Sequence, residues 1–205
     1  MLSSSRSRGS QWPSLPLSPT IPAMAALTAD DFERAFNLYF KEMDRCATMG
    51  YYWALLHVLL ALPDVCAALE SPEAKVGDRY KGWCRQYLHS PLLTPEEFYE
   101  LRCALLHQGQ ALGAQGRYST FSFAVAEGIS IHRVVVASEK NITLDPRRMV
   151  DEMKSAIRQR FTGLLDTSNA PRLAKVNGNL QFLVREQMKE HPGIGGIVFA
   201  VYSST

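Results

Sequence analysis

Arg102 and His107 are the residues whose types and spacing suit chemistry, standing five positions apart in ELRCALLHQGQ, residues 100–110. A histidine, with an unperturbed pKa near ~6.5, exchanges protons at neutral pH. An arginine presents a planar fork that matches phosphate oxygens and stabilises charge building in a transition state. Together they suit the handling of a phosphate group. Each residue also has a structural role open to it. Arg102 lies within reach of Glu97 and Glu100 as an ion-pair partner. His107 falls in the last turn of its helix, where it can meet the dipole or the terminal carbonyls.

The helix that carries the pair has the clearest boundaries in the chain. Thr94 is placed as the N-cap, Pro95 takes the first helical position, and Glu97 completes a capping box. Gly109 is the natural C-terminal cap, so the helix is expected over 95–108. Phe98, Leu101 and Leu105 form its apolar face. At roughly 100° per residue, Arg102 and His107 stand about 140° apart around the axis. The expectation is that one straight helix cannot bring both to one small group. Between them lies a second, partly apolar stripe of Tyr99, Cys103 and Leu106. It requires cover from the rest of the domain or from another subunit.

Arg102-Cys-Ala-Leu-Leu-His107 resembles the arginine–spacer–histidine motif of HEPN domains, and the helices before it suit that fold. The likeness spans about residues 28–115 and does not reach the C-terminal part of the chain. It implies a helical bundle and, in many members, a metal-independent endoribonuclease of toxin or defence type. Such enzymes work as homodimers, with the arginine and histidine of both subunits meeting in one cleft. It therefore implies a catalytic Arg102 and His107, an RNA substrate, a second copy of the chain, and an antitoxin partner if the protein is a toxin. Active members usually carry a small polar residue after the arginine; this chain has Cys103. The alternative is a non-catalytic dimeric interaction module with the same fold.

The remaining elements are read from periodicity. Thr28 caps an amphipathic helix over about 29–48, interrupted at Gly50. YYWALLHVLLAL, residues 51–62, is apolar all round and is expected to be enclosed on most sides. Pro63 predicts a break or kink, with Asp64 opening a short helix through Glu70. Residues 78–88 form another helix carrying Tyr80, Trp83, Cys84 and Tyr87, read as core or interface aromatics around a thiol. The period then becomes two: Phe121, Phe123 and Val125, a turn at Glu127–Gly128, then Ile129, Ile131 and a valine run. That pattern predicts an antiparallel β-hairpin, with NITL a third strand. Asp145-Pro146 opens a helix with Met149, Met153, Ala156, Ile157 and Phe161 on one face, and a last helix is expected over 170–190. HPGIGG reads as a flexible turn leading to a short strand at IVFAVYS. The expected class is α+β: a HEPN-like helical bundle over 28–115, then a small antiparallel β-sheet and two C-terminal helices over 116–205, packed on the bundle.

Composition excludes several classes. With 46% hydrophobic and 20% charged residues, the 205-residue chain reads as a globular protein. A net charge of +2 does not argue for a generic nucleic-acid binder, although the second half carries a small basic excess. The four cysteines, Cys46, Cys66, Cys84 and Cys103, form no C-x-x-C pair and read as reduced thiols of a cytoplasmic protein. No apolar run is long enough to span a membrane. Residues 1–27, rich in Ser and Pro, are expected to be a disordered leader, with a transit-like segment and an initiation at Met24 as further readings. His57 reads as a satisfied core histidine, while His132 and Arg133 are placed on the second strand with solvent within reach. Asp64, Glu70 and Asp78 lack metal-ligand spacing, and Gly193–Gly196 lacks the strand-before, helix-after setting of a phosphate loop. No cofactor and no metal are expected.

Overall fold

The computed structural model describes residues 28–89, 93–111, 117–129, 131–180, 183, 185–187 and 198–200. The expectations for the leader, for HPGIGG and for most of the 111–117 join fall outside them. The helices in chain order are α1 (Ala29–Met49), α2 (Tyr52–Ala68), α3 (Val76–Tyr87), α4 (Pro95–Gln108), α5 (Pro146–Leu164) and α6 (Ala170–Leu180). The strands are β1 (Thr120–Phe123), β2 (Val134–Val136), β3 (Asn141–Leu144), β4 (Arg185–Gln187) and β5 (Val198–Ala200).

α1 begins where its cap dictates. Thr28 Oγ1 accepts the Asp31 amide and the Asp31 carboxylate accepts the Thr28 amide. It ends at Gly50, whose φ of 75° lies in the left-handed region that a side chain disfavours. Its apolar stripe of Phe32, Phe36, Phe40 and Met43 is buried, and Phe32 stacks on Phe161 of α5 with ring centroids 3.7 Å apart. α5 thus packs into the bundle, and one hydrophobic core runs from α1 through α5 to Val176 and Leu180 of α6.

One expectation for α2 is overturned, that of a break at Pro63 with a new helix from Asp64. Pro63 does not end the helix, which runs on to Ala68 with Pro63 inside it and buried. Proline removes one backbone donor and crowds the preceding turn; burial of Leu59, Leu60, Leu62 and Cys66 on both sides of it offsets that cost. The helix is otherwise enclosed on most sides, as expected: eight of its residues are buried, and only Trp53 and Ala54 are exposed. Val58 and His57 are half-buried.

Burial of Arg160 fastens the C-terminal half to the bundle. Its side chain is fully buried, and it donates to Glu70, just past α2, and to the Cys66 carbonyl. Arg172 of α6 donates to the other Glu70 oxygen and to the Tyr87 hydroxyl. One carboxylate therefore ties α2, α3, α5 and α6 together.

The sheet is mixed rather than antiparallel. Its order is β1-β3-β2, with β1 parallel to β3 and β2 antiparallel to it. β1 and β2 do not form the expected hairpin. Gly128 does take a left-handed turn, but the tight reversal lies at Ala137–Lys140, between β2 and β3. The reason is burial. Phe121, Ile142 and Leu144 face the core, whereas Val134, Val135 and Val136 are all exposed, so the valine run takes the edge. The last helix also stops at Leu180, short of the expected 190, and Arg185–Gln187 pairs antiparallel with Val198–Ala200. A helical period over so few residues does not exclude a strand.

Candidate functional site

α4 presents the pair because both of its ends and two of its faces are fixed. Thr94 and Glu97 form the reciprocal capping box, at 3.2 Å and 2.7 Å. The second oxygen of Glu97 accepts the Arg117 amide at 3.1 Å, and Arg117 closes an ion pair on the same carboxylate. Burial alone would raise the Glu97 pKa; the Arg117 and Thr94 hydrogen bonds overcome this and hold it below the usual value. At the other end Gly109 adopts φ 64° and returns its amide to the last turn. Phe98, Leu101 and Leu105 are buried, as their spacing requires.

The second stripe is half-buried within the same chain, and its Tyr99 end is covered by α3. Tyr99 packs on α3 at Gly77, where an added Cβ would meet the phenol at 3.2 Å. Glycine is what permits that approach. Tyr99 also lies beside Tyr80, with centroids 5.4 Å apart, and under the Lys81 ammonium. A hydrogen bond with Cys103, and then burial, push the Tyr99 phenol above its usual pKa.

Arg102 and His107 meet, contrary to the helical-wheel expectation. Nη1 of Arg102 donates to Nε2 of His107 at 2.8 Å. The wheel places Cβ atoms, whereas the arginine side chain is long enough to wrap across the intervening stripe, passing the Cys103 sulfur at 3.9 Å. Arginine has no acceptor, so in this contact Nε2 is the accepting nitrogen and Nδ1 the one left to carry a proton. His107 is exposed and Arg102 half-buried. Neither structural partner open to the arginine is used: Glu97 is taken by Arg117 and Thr94, and among the described residues no carboxylate pairs with Arg102. Its Nε is buried without a partner, as is one carboxylate oxygen of Glu100. A guanidinium without a carboxylate partner can bind an anion, and the imidazole beside it can exchange a proton.

Comparison with family models, with curated proteins and with solved structures gives no match. The functional reading therefore rests on the residues themselves.

The other sequence candidates separate. His57 is half-buried rather than core, its Nδ1 on the Trp53 carbonyl at 2.9 Å. Asp64 opens no helix and pairs instead with Arg79 at 2.7 Å. Tyr80 and Trp83 are buried in the core, and Tyr87 is partly buried against it. All four cysteines are free; Cys66 and Cys84 are buried, and burial pushes the Cys66 thiol to about 12. Among the described residues no group of three or more His, Cys, Asp or Glu could hold a metal ion. No helix among them is long and apolar enough to cross a membrane.

A second polar cluster escaped the sequence reading. His132 and Arg133 precede β2 rather than lie on it. His132 Nδ1 accepts the Asp145 amide at 3.0 Å, and its Nε2 faces Glu152 of α5 at 3.2 Å. Arg133 reaches the other Glu152 oxygen at 2.7 Å from a left-handed backbone, φ 61°. A non-glycine residue held there by an ion pair is strained, a feature that gathers at functional sites. The only sequence signal was the adjacency of histidine and arginine; their partner lies 19 residues on from Arg133.

Proposed function

We propose that the protein is a HEPN-like, RNA-acting enzyme, a metal-independent endoribonuclease of toxin or defence type that works as a homodimer. The observation that carries this reading is the 2.8 Å contact between an arginine with no carboxylate partner among the described residues and an exposed histidine. In the resting site Arg102 donates to a neutral nitrogen. A phosphodiester offers it anionic oxygens instead, and charge-assisted hydrogen bonds are roughly twice as strong as neutral ones. The exchange frees Nε2 of His107. His107 then removes the proton of the ribose 2′-hydroxyl, whose oxygen attacks phosphorus. The bond to the 5′-oxygen breaks, that oxygen takes the proton from the His107 imidazolium, and the products are a 2′,3′-cyclic phosphate and a 5′-hydroxyl. Arg102 stabilises the charge on the phosphorane oxygens. Cys103 bonds Tyr99 and also lies 3.9 Å from the Arg102 Nη1 that meets His107, so it adjoins the pair.

The alternative, a non-catalytic dimeric module, draws on a different surface. Met49, Tyr51 and Trp53 are exposed side by side at the α1–α2 turn, and clustered exposed apolar groups mark interaction sites. One experiment separates the readings. Purified protein is incubated with single-stranded RNA and the cleaved ends are analysed. The enzyme reading expects cyclic-phosphate ends and a loss of about 10²–10⁴ in rate for His107→Ala. Cleavage by His107→Ala at the wild-type rate overturns the assignment; a wild-type dimer that leaves RNA intact favours the module.

A further inference from the structure

Two cavities adjoin at Asp151 of α5, and neither Arg102 nor His107 lines them. The first, about 390 Å³, has Tyr87, Leu88 and Phe98 on one wall and Arg133 at its edge. The second, about 330 Å³, is polar and holds Arg147 and Arg148 beside Asp145. Asp151, Ser155 and Gln159 recur at helical spacing along α5, so they form one stripe, and all three open on the first cavity. All three are exposed, and among the described residues none makes a hydrogen bond or ion pair with the protein. Their neighbours differ: Glu152 is occupied by His132 and Arg133, and Asp145 by Arg147. A cavity with an aromatic and aliphatic lining and a few convergent polar groups has the make-up of a small-molecule site.

We propose that the two cavities form one site for a ribonucleoside monophosphate unit. The base lies against Tyr87 in the first cavity, with Ser155 and Gln159 offering donors and acceptors to its edge. The Asp151 carboxylate, shared by both cavities, accepts the ribose 2′-hydroxyl. The phosphate lies in the second cavity on Arg147 and Arg148. Each assignment has a chemical reason. A carboxylate between a base pocket and a phosphate pocket is the ordinary acceptor for ribose hydroxyls. The 2′-hydroxyl is also what distinguishes RNA from DNA. Arg147 is held in place by Asp145 at 3.0 Å and by the Ala126 carbonyl at 3.0 Å, yet stays 38% exposed. Arginines 133, 147 and 148 are balanced locally by Asp145, Asp151 and Glu152. Recognition therefore rests on placed groups rather than on a net positive field. The site rests on the RNA reading and deepens it, since it anchors one nucleotide of the substrate.

The test is a titration of the full chain with AMP, GMP, CMP and UMP and with their 2′-deoxy counterparts, by calorimetry and amide NMR. The expected result is binding at millimolar concentration or tighter, with a preference for ribose. Asp151→Asn lowers affinity for the ribose forms by roughly tenfold and leaves the deoxy forms little changed. Arg148→Ala weakens both series. Asp151 and Arg148 are exposed, so both variants are expected to melt with the wild type. His107→Ala binds normally, so a failure of the ribonuclease reading leaves this result standing. A short RNA that binds no tighter than its monophosphate supports the site and assigns it to free nucleotides. The proposal is overturned if no monophosphate binds in the millimolar range, or if Asp151→Asn weakens the ribose and deoxyribose forms alike.

Discussion

Glu70→Gln removes one charge, nearly isosterically, from the carboxylate on which two arginines converge. Arg160 is fully buried and reaches Glu70 through Nε at 2.8 Å, and Arg172 reaches the other oxygen at 2.7 Å. The two halves differ in weight. The Arg172 side chain is 38% exposed, and a pair so screened is worth about 0–1 kcal/mol. Arg160 has no solvent to fall back on and already carries an unpartnered Nη1. Breaking a buried pair from one side costs about 3–5 kcal/mol, because the surviving charge is left uncompensated. The expected loss is therefore about 3–5 kcal/mol, against about 5–15 kcal/mol for a domain as a whole. For a chain of this size it lowers Tm by roughly 6–20 °C. Urea unfolding measures it, and an unchanged m-value shows that only stability has moved. The double variant Glu70→Leu, Arg160→Met should recover most of the loss, since a buried ion pair replaced by apolar groups is often neutral. The reasoning fails if Glu70→Gln costs under about 1 kcal/mol, or if the double variant is as unstable as the single one.

Two further outcomes concern α4. Nitrogen NMR of His107 in its neutral form should report the proton on Nδ1, and Arg102→Ala should release the ring to a tautomer mixture; a ring already mixed in the wild type removes the hydrogen bond from the account. Glu97, whose pKa is depressed in the folded state, adds stability that is complete above the ordinary carboxyl range and is lost as pH falls through the depressed value. The stability gap between wild type and Glu97→Gln should thus close from about pH 5 downwards, and a gap that stays constant to the acid transition would refute this assignment.

Local rules made much of the bundle legible. The Thr94-Glu97 box, the Gly50 and Gly109 caps and the apolar faces of α1, α4 and α5 stand where spacing puts them, because each depends on residues within a turn or two. Non-local pairing was not legible. Val134–Val136 and Asn141–Leu144 both have strand composition, but which one sits at the centre depends on what each buries, and the parallel β1–β3 register joins residues 21 apart. Pro63 shows the same limit from the other side: its cost is local and fixed, while the packing that outweighs it comes from the rest of the bundle.

The candidate site divides along the same line. Sequence alone determined that an arginine and a histidine share the C-terminal half of one capped helix, since residue type, spacing and caps are local properties. Only the tertiary structure decided that Glu97 is drawn off to Arg117, that α3 covers the Tyr99 end of the second stripe through Gly77, and that Arg102 is left to reach across to His107. The cluster of His132, Arg133 and Glu152, and the cavities beside it, belong wholly to the fold. A helical wheel fixes where side chains start; where a long side chain ends is decided by which partners the rest of the molecule has already taken.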